Sequence, residues 1–243
     1  MSSAAVPNPL REYFRANRGR LLHKWDHYFD VYHRHFARFR GQPITVLEIG
    51  LFHGGSLAMW RDYFGPQARI VGVDIEPRAQ MFAGINTEVY IGDQSDREFL
   101  AAMRRRCPRV DVLIDDGGHR MWEQIATFEE LYPVVADGGV YLCEDLHTSY
   151  WKEWGGGLAN PYTFINYSKT LVDRLNAFHS RDPNSLEPDD FTRSTASLHY
   201  YDSILVIEKQ RRAAPVDGAT GTPSFALRPE EAETLARIGW RAP

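Results

Sequence analysis

Residues 44–64 read ITVLEIGLFHGGSLAMWRDYF, and this stretch decides the fold. Its first six residues are apolar except for Thr45 and Glu48, the pattern of a strand covered on both faces. A turn with glycines at 50, 54 and 55 follows. Ser56–Phe64 then has helical apolar spacing, with Ser56 placed as a cap. Glycines between a strand and a helix let a backbone turn sharply and approach a ligand closely.

The same strand, turn and helix unit recurs downstream. Arg69–Asp74 and Thr87–Ile91 read as strands, Asp96–Arg106 as a helix, and Val110–Ile114 as a wholly buried strand. Arg120–Val135 reads as a helix and Gly139–Cys143 as a fifth strand. Apolar strands alternating with helices imply an α/β, Rossmann-like fold, a mostly parallel sheet with helices on both faces. Such sheets bind ligands at the carboxyl ends of their strands. Pro161–His179 is expected to be helical, and Leu198–Tyr201 with Ile204–Glu208 to form a closing hairpin. Upstream, aromatics at 25, 28, 29, 32, 36 and 39 predict an amphipathic helix over 21–40. The expected organisation is an N-terminal helical arm (1–43), the sheet domain (44–209), and a linker with a short tail (210–243), helical near 229–239.

Composition narrows the partners. The formal net charge is −4, so no global positive field is available to hold nucleic acid. The run Arg104-Arg105-Arg106 reads as a solvated helix face. Cys107 and Cys143 have neither zinc spacing nor a disulfide framework, and Cys143 reads as core. No apolar run approaches the roughly 18 residues of a membrane span, and no secretory signal is legible, so the expectation is cytoplasmic.

The first turn asks for a particular ligand. A dinucleotide fold wants a second glycine where Phe52 stands, and Glu48 beside the loop suits a pyrophosphate poorly. An acidic residue there suits the sulfonium and ammonium of S-adenosylmethionine, so this donor is favoured over a nicotinamide. Asp74, ending the second strand 24 residues after Gly50, is placed for the ribose hydroxyls. In Gly92-Asp93-Gln94-Ser95-Asp96, Asp93 is placed for the adenine amino group, while Ser95 or Asp96 reads as a helix cap.

Two later strand ends concentrate acid. One runs Asp115-Asp116-Gly117-Gly118-His119; the other ends Glu144-Asp145, with His147 two residues on. Carboxylates gathered on one sheet edge repel unless a cation neutralises them. Oxygen ligands favour Mg²⁺ or Ca²⁺ over zinc. Side chains alternate along a strand, so Glu144 and Asp145 can share one ion only where the strand breaks into loop. Alkylating an alcohol requires removal of its proton, and His119, past two glycines, is the candidate base. A surface histidine and acids serving as caps are the plain alternatives.

At these motifs the sequence resembles the metal-dependent O-methyltransferases of macrolide sugars, of the mycinamicin and tylosin type, and the related cephalosporin-pathway methyltransferases. His23-Lys24-Trp25, Val46–Ser56, Gly72–Glu76, Ile114–His119 and Glu144–Tyr150 carry the resemblance, which covers roughly residues 20–210. It implies a seven-stranded class I methyltransferase sheet with an antiparallel last strand, and a homo-oligomer. It implies Mg²⁺ on Asp116, Glu144 and Asp145, with His119 as general base toward a sugar hydroxyl. Glu48, Gly50, Ser56, Asp74, Asp93 and Asp115 would surround S-adenosylmethionine. Lys24, Tyr28 and Gln94 join that cofactor set as expectations, and His147 joins the catalytic set.

The family's macrolide enzymes carry a large further N-terminal domain, whereas about 43 residues precede the first strand here, so the acceptor does not carry over. Tyr150, Trp151 and Trp154 are candidate acceptor residues, on a glycine-rich loop (146–160) able to act as a lid; ordinary packing is their plain alternative. The leading expectation is a glycosylated small-molecule acceptor, on a natural product or glycolipid. A catechol or phenol acceptor, or a non-catalytic binding protein, are the rivals.

Overall fold

The computed structural model describes residues 7–182 and 184–241. The chain divides into two compact units, one ending at Arg212 and one from Ala213 onward. The first holds a seven-stranded sheet: β1 (Thr45–Ile49), β2 (Arg69–Asp74), β3 (Thr87–Ile91), β4 (Val110–Asp115), β5 (Val135–Cys143), β6 (Thr195–Tyr201) and β7 (Ile204–Lys209). The strand order is β3-β2-β1-β4-β5-β7-β6, with β7 antiparallel to both of its neighbours. The order reverses between β1 and β4, where their carboxyl ends diverge and open a crevice.

Strict alternation sorts side chains between two cores. Val46, Ile70, Val112, Ile114, Val140 and Leu142 face one way, packing with α2 (Tyr28–Phe36) and α3 (Gly55–Phe64) through Tyr32, Phe36, Trp60 and Phe64. Leu47, Val71, Leu113, Tyr141 and Cys143 face the other, against α4 (Arg97–Arg106), α5 (Met121–Leu131) and α6 (Phe164–Leu175) through Leu100, Met103, Phe128, Leu131 and Leu171. Both faces of β4 are buried, which is why its sequence is apolar before its acidic end except at Asp111, which accepts from the Thr45 amide and pairs with Arg109.

Several expected boundaries move. The helix expected over 21–40 is only Tyr28–Phe36 plus one turn at Ala37–Phe39, and residues 21–25 belong to no helix or strand. A separate helix, α1 (Pro9–Ala16), is capped by Asn8. Ser56 does not cap α3: the N-cap is Gly54 in the left-handed region (φ 72°), and the Ser56 hydroxyl turns down to Glu48. Asp96 does cap α4, accepting from the Glu98 and Phe99 amides. The helix from 120 stops at Leu131, because Pro133 has no N–H to continue the ladder.

The chain continues through α7 (Asp190–Ser194) into the β6–β7 hairpin. The second unit contains α8 (Pro229–Arg237), whose first turn is closed by Glu231 accepting from the Arg228 backbone amide. Among the described residues, no helix is long and apolar enough to cross a membrane.

Candidate active site

The crevice at the strand reversal encloses a cavity of about 390 Å³. One end is walled by the Gly50–Phe52 turn, Asp74, Ile75, Gly92, Asp93 and Gln94; the other reaches Asp116, His119, Glu144 and Asp145. The irregular segment 21–25 and Tyr28 complete the wall. At Gly50 (φ 88°), an added Cβ would stand 2.0 Å from the Asp116 carbonyl oxygen, so only glycine lets the β1 turn pass the β4 turn.

The donor-side residues are held by backbone amides. Asp74 Oδ2 accepts from the Leu51 and Phe52 amides at 2.7 and 3.2 Å, and Oδ1 from the Glu76 amide at 2.8 Å. This ties the end of β2 to the glycine turn while the carboxylate still lines the cavity. Asp93 also lines it, with Oδ1 accepting from the Ser95 amide. Gly50 and Ser56 line it as expected.

Three residues expected at the cofactor have other partners in this structure. Glu48 is fully buried and not in the cavity wall; Ser56 Oγ and Trp60 Nε1 donate to its two oxygens at 2.8 and 2.9 Å. Burial raises its pKa to about 7, against the pull of the Lys24 charge and the Trp60 hydrogen bond. Asp115 lies on the α5 face of β4, the opposite face from Ile114, so it points away from the cavity. There it accepts from Gln94 Nε2 at 2.6 Å and more loosely from the Tyr141 hydroxyl at 3.4 Å, and burial lifts its pKa to about 8. Gln94 touches the cavity, but its amide is committed: Nε2 donates to Asp115 and Thr127, and Oε1 accepts from the Gly118 amide at 2.8 Å. It braces the turn that presents His119.

The acidic end is built by alternation. Asp116 and Glu144 each continue their strand on the α2 face, two residues beyond Ile114 and Leu142. Asp145 has left-handed backbone (φ 55°), which breaks the alternation and brings its carboxylate to the same place. Asp116, His119 and Asp145 each present one ligand atom within 4.8 Å of the others. His119, also left-handed (φ 56°) after the two glycines, sets Nε2 3.4 Å from Asp145 Oδ2 and 3.8 Å from Asp116 Oδ1. Its Nδ1 is buried without a partner among the described residues.

Lys24 and Tyr28, expected at the cofactor, line the cavity and bond this cluster. Lys24 Nζ bonds Asp116 Oδ2 and, at 2.8 Å, Glu144 Oε2. The Tyr28 hydroxyl donates to Asp145 Oδ1 at 2.6 Å, and burial with that carboxylate raises its pKa. His147 lies 3.9 Å from Asp145, with Nδ1 2.5 Å from Ser203 Oγ. Of the loop aromatics, Trp154 approaches the His119 ring at 6.1 Å and Trp151 the His147 ring at 4.6 Å; Tyr150 is exposed. Leu21, Leu22, Phe52, Ile75 and Gly117 also line the cavity and escaped the sequence reading. The one usable signal was Ile75, an apolar residue directly after the strand-end acid.

The donor set fits a hard divalent cation. Glu144 is buried and its Oε1 has no partner among the described residues, a dehydrated oxygen that a cation would satisfy. Three carboxylates face one ammonium, leaving two negative charges that a single divalent ion would balance.

Residues 47–146 match a family model described as a methyltransferase domain. The 8-demethyl-8-(2-methoxy-alpha-L-rhamnosyl)-tetracenomycin-C 3'-O-methyltransferase of Streptomyces olivaceus is 36% identical over 199 residues, covering 78% of this chain and 50% of that protein. The mycinamicin VI 2''-O-methyltransferase of Micromonospora griseorubida is 36% identical over 194 residues, 74% of this chain and 47% of that protein. Thus the chain spans about half the length of the curated relatives it matches. Among solved structures, the MycE methyltransferase of the mycinamycin biosynthetic pathway, in complex with Mg and SAH, superposes with a TM-score of 0.75 at 30% identity. That match covers 96% of this chain and 60% of the other. The seven-stranded sheet with its antiparallel β7 is the Rossmann-like methyltransferase fold.

Proposed function

We propose that this chain is an S-adenosylmethionine-dependent, Mg²⁺-dependent O-methyltransferase that acts on a sugar hydroxyl of a glycosylated natural product. The observation that carries this reading is one cavity that joins the glycine turn and Asp74 at one end to Asp116, His119 and Asp145 at the other. The relatives' names, a rhamnosyl-tetracenomycin-C 3'-O-methyltransferase and a mycinamicin VI 2''-O-methyltransferase, support it.

In this reading Gly50, Asp74 and Asp93 hold the donor, and the wall of Leu21, Leu22 and Ile75 excludes water from it. Asp116 and Asp145, with the free oxygen of Glu144, hold the metal. A bound Mg²⁺ supplies a Lewis acid that lowers the pKa of an acceptor hydroxyl. His119 Nε2 takes the hydroxyl proton as the oxygen attacks the donor methyl in line, and Asp145 stabilises the imidazolium that results. Tyr28 holds Asp145 in place, and Ser203 orients His147 beside it. A cytoplasmic homo-oligomer completes the reading.

The test is incubation with S-adenosylmethionine, Mg²⁺ and a panel of glycosylated polyketides. A mass gain of one methylene, with release of S-adenosylhomocysteine and loss in EDTA, is expected. Absence of donor binding in calorimetry would overturn the reading.

A further inference from the structure

Beside the acidic cluster stands a wall of three rings. Trp25 follows Lys24 on the irregular 21–25 segment, and its ring meets that of His147 at 5.8 Å and 80°. The His147 ring in turn meets Trp151 at 4.6 Å and 64°. Ser203 fixes the middle ring from two sides, with its Oγ accepting from the His147 amide at 3.1 Å and bonding Nδ1. Trp25 is fixed through its neighbour, because the Lys24 ammonium is clasped by Asp116 and Glu144.

Neither indole belongs to a core. Trp25 is 51% exposed and Trp151 44%, an unusual arrangement for two large apolar side chains so close together. The wall also adjoins the chemistry: His147 Nδ1 lies 3.9 Å from Asp145 Oδ1, and Asp145 Oδ2 lies 3.4 Å from His119 Nε2.

We propose that Trp25, His147 and Trp151 form the acceptor platform, and that it takes the apolar C–H face of an uncharged deoxysugar ring. The inference rests on the methyl-transfer reading and adds to it the place and chemistry of acceptor binding. Aromatic faces carry negative charge density and attract the polarised C–H bonds of a sugar. The angles decide between rival acceptors. Rings inclined at 80° and 64° make a stepped corner that suits a puckered ring with C–H bonds in several directions. A flat phenol calls for a parallel stack, and neither indole lies parallel to the His147 ring. Charge favours a neutral acceptor, because three carboxylates, one ammonium and a bound divalent ion leave the cluster balanced, with no surplus positive charge to draw an anion.

The experiment is saturation-transfer NMR on the full chain with two probes, methyl α-L-rhamnopyranoside and catechol, in the wild type, Trp25→Ala, Trp151→Ala and the double variant. The ring C–H protons of the glycoside should receive saturation in the wild type, and each single variant should weaken the effect. The double variant should weaken glycoside binding about tenfold, the scale of lost aromatic contacts. Far-UV circular dichroism should be unchanged in all variants, S-adenosylmethionine calorimetry should be unchanged in Trp151→Ala, which lies outside the cavity wall, and Trp25→Phe should keep most of the signal. A glycoside signal unchanged in the double variant overturns the platform, as does catechol saturated more strongly than the glycoside. Glycoside binding that depends on both tryptophans, in a protein that binds no S-adenosylmethionine, would sustain the platform and overturn the methyl-transfer reading.

Discussion

Lys24 and Glu144 lie 120 residues apart, yet the Lys24 ammonium donates to Glu144 Oε2 at 2.8 Å with both side chains almost wholly buried. Burial alone would strip the proton from this lysine. Asp116, Glu144 and Glu48 outweigh that effect and hold its pKa above the ordinary value. One contact thereby docks the 21–25 segment onto the carboxyl edge of the sheet and organises the acids there.

Replacing Lys24 by Met leaves Asp116 and Glu144 facing each other without their cation. Breaking a buried pair from one side costs about 3–5 kcal/mol, so the denaturation midpoint in urea should fall markedly. An unchanged midpoint would show that the pair contributes nothing.

His119→Ala removes the only imidazole whose ring nitrogen faces both Asp116 and Asp145 among the described residues. Turnover should fall about 10²–10⁴-fold, the usual worth of a positioned base, while calorimetric affinity for S-adenosylmethionine stays the same. Wild-type turnover in the variant would remove His119 from the mechanism.

Asp145→Asn weakens the cluster without changing its volume. Mg²⁺ binding measured by calorimetry should weaken by about tenfold or more, and EDTA-treated wild type should recover activity when Mg²⁺ is returned. Equal Mg²⁺ affinity in the variant would place the ion elsewhere.

Gly50→Ala would put a methyl group where the Asp116 carbonyl already lies, on a backbone that L-residues adopt at a cost. The turn must open, so donor binding should be lost and the melting temperature lowered. A variant that binds donor normally would show that this close approach is dispensable.

Glu48 supplies a pH signature. Burial raises its folded pKa to about 7, while the unfolded chain titrates near the ordinary glutamate value. Between those two values folding takes up a proton. Stability is therefore greatest below the unfolded pKa and declines as pH rises through about 7, by about 1.4 kcal/mol for each pH unit crossed between the two values. Glu48→Gln still offers Trp60 an acceptor and should flatten this part of the stability profile, read from denaturant titrations at several pH values.

Much of the fold was legible because the strands carry it locally. Arg69–Asp74 and Thr87–Ile91, strands built around short apolar runs, keep their expected bounds. The 21–40 segment misled for the same local reason. Its aromatics keep helical spacing, but Trp25 lies outside the helix on a segment that Lys24 pulls across the cavity. Local spacing cannot register a tether to partners 92 and 120 residues away.

By itself the sequence determined the alternation of strands and helices, the glycine turn after β1, and the acids at two strand ends. Only the tertiary structure decided what each acid faces. A strand turns successive side chains to opposite sides, so Asp115 and Asp116, adjacent in sequence, end in different environments: one under α5 with Gln94, the other in the cavity with Lys24. Asp145 escapes that rule only through its left-handed backbone. Whether a carboxylate meets an amide, an ammonium or open cavity depends on strand neighbours and on the docked N-terminal segment, and long-range packing sets both.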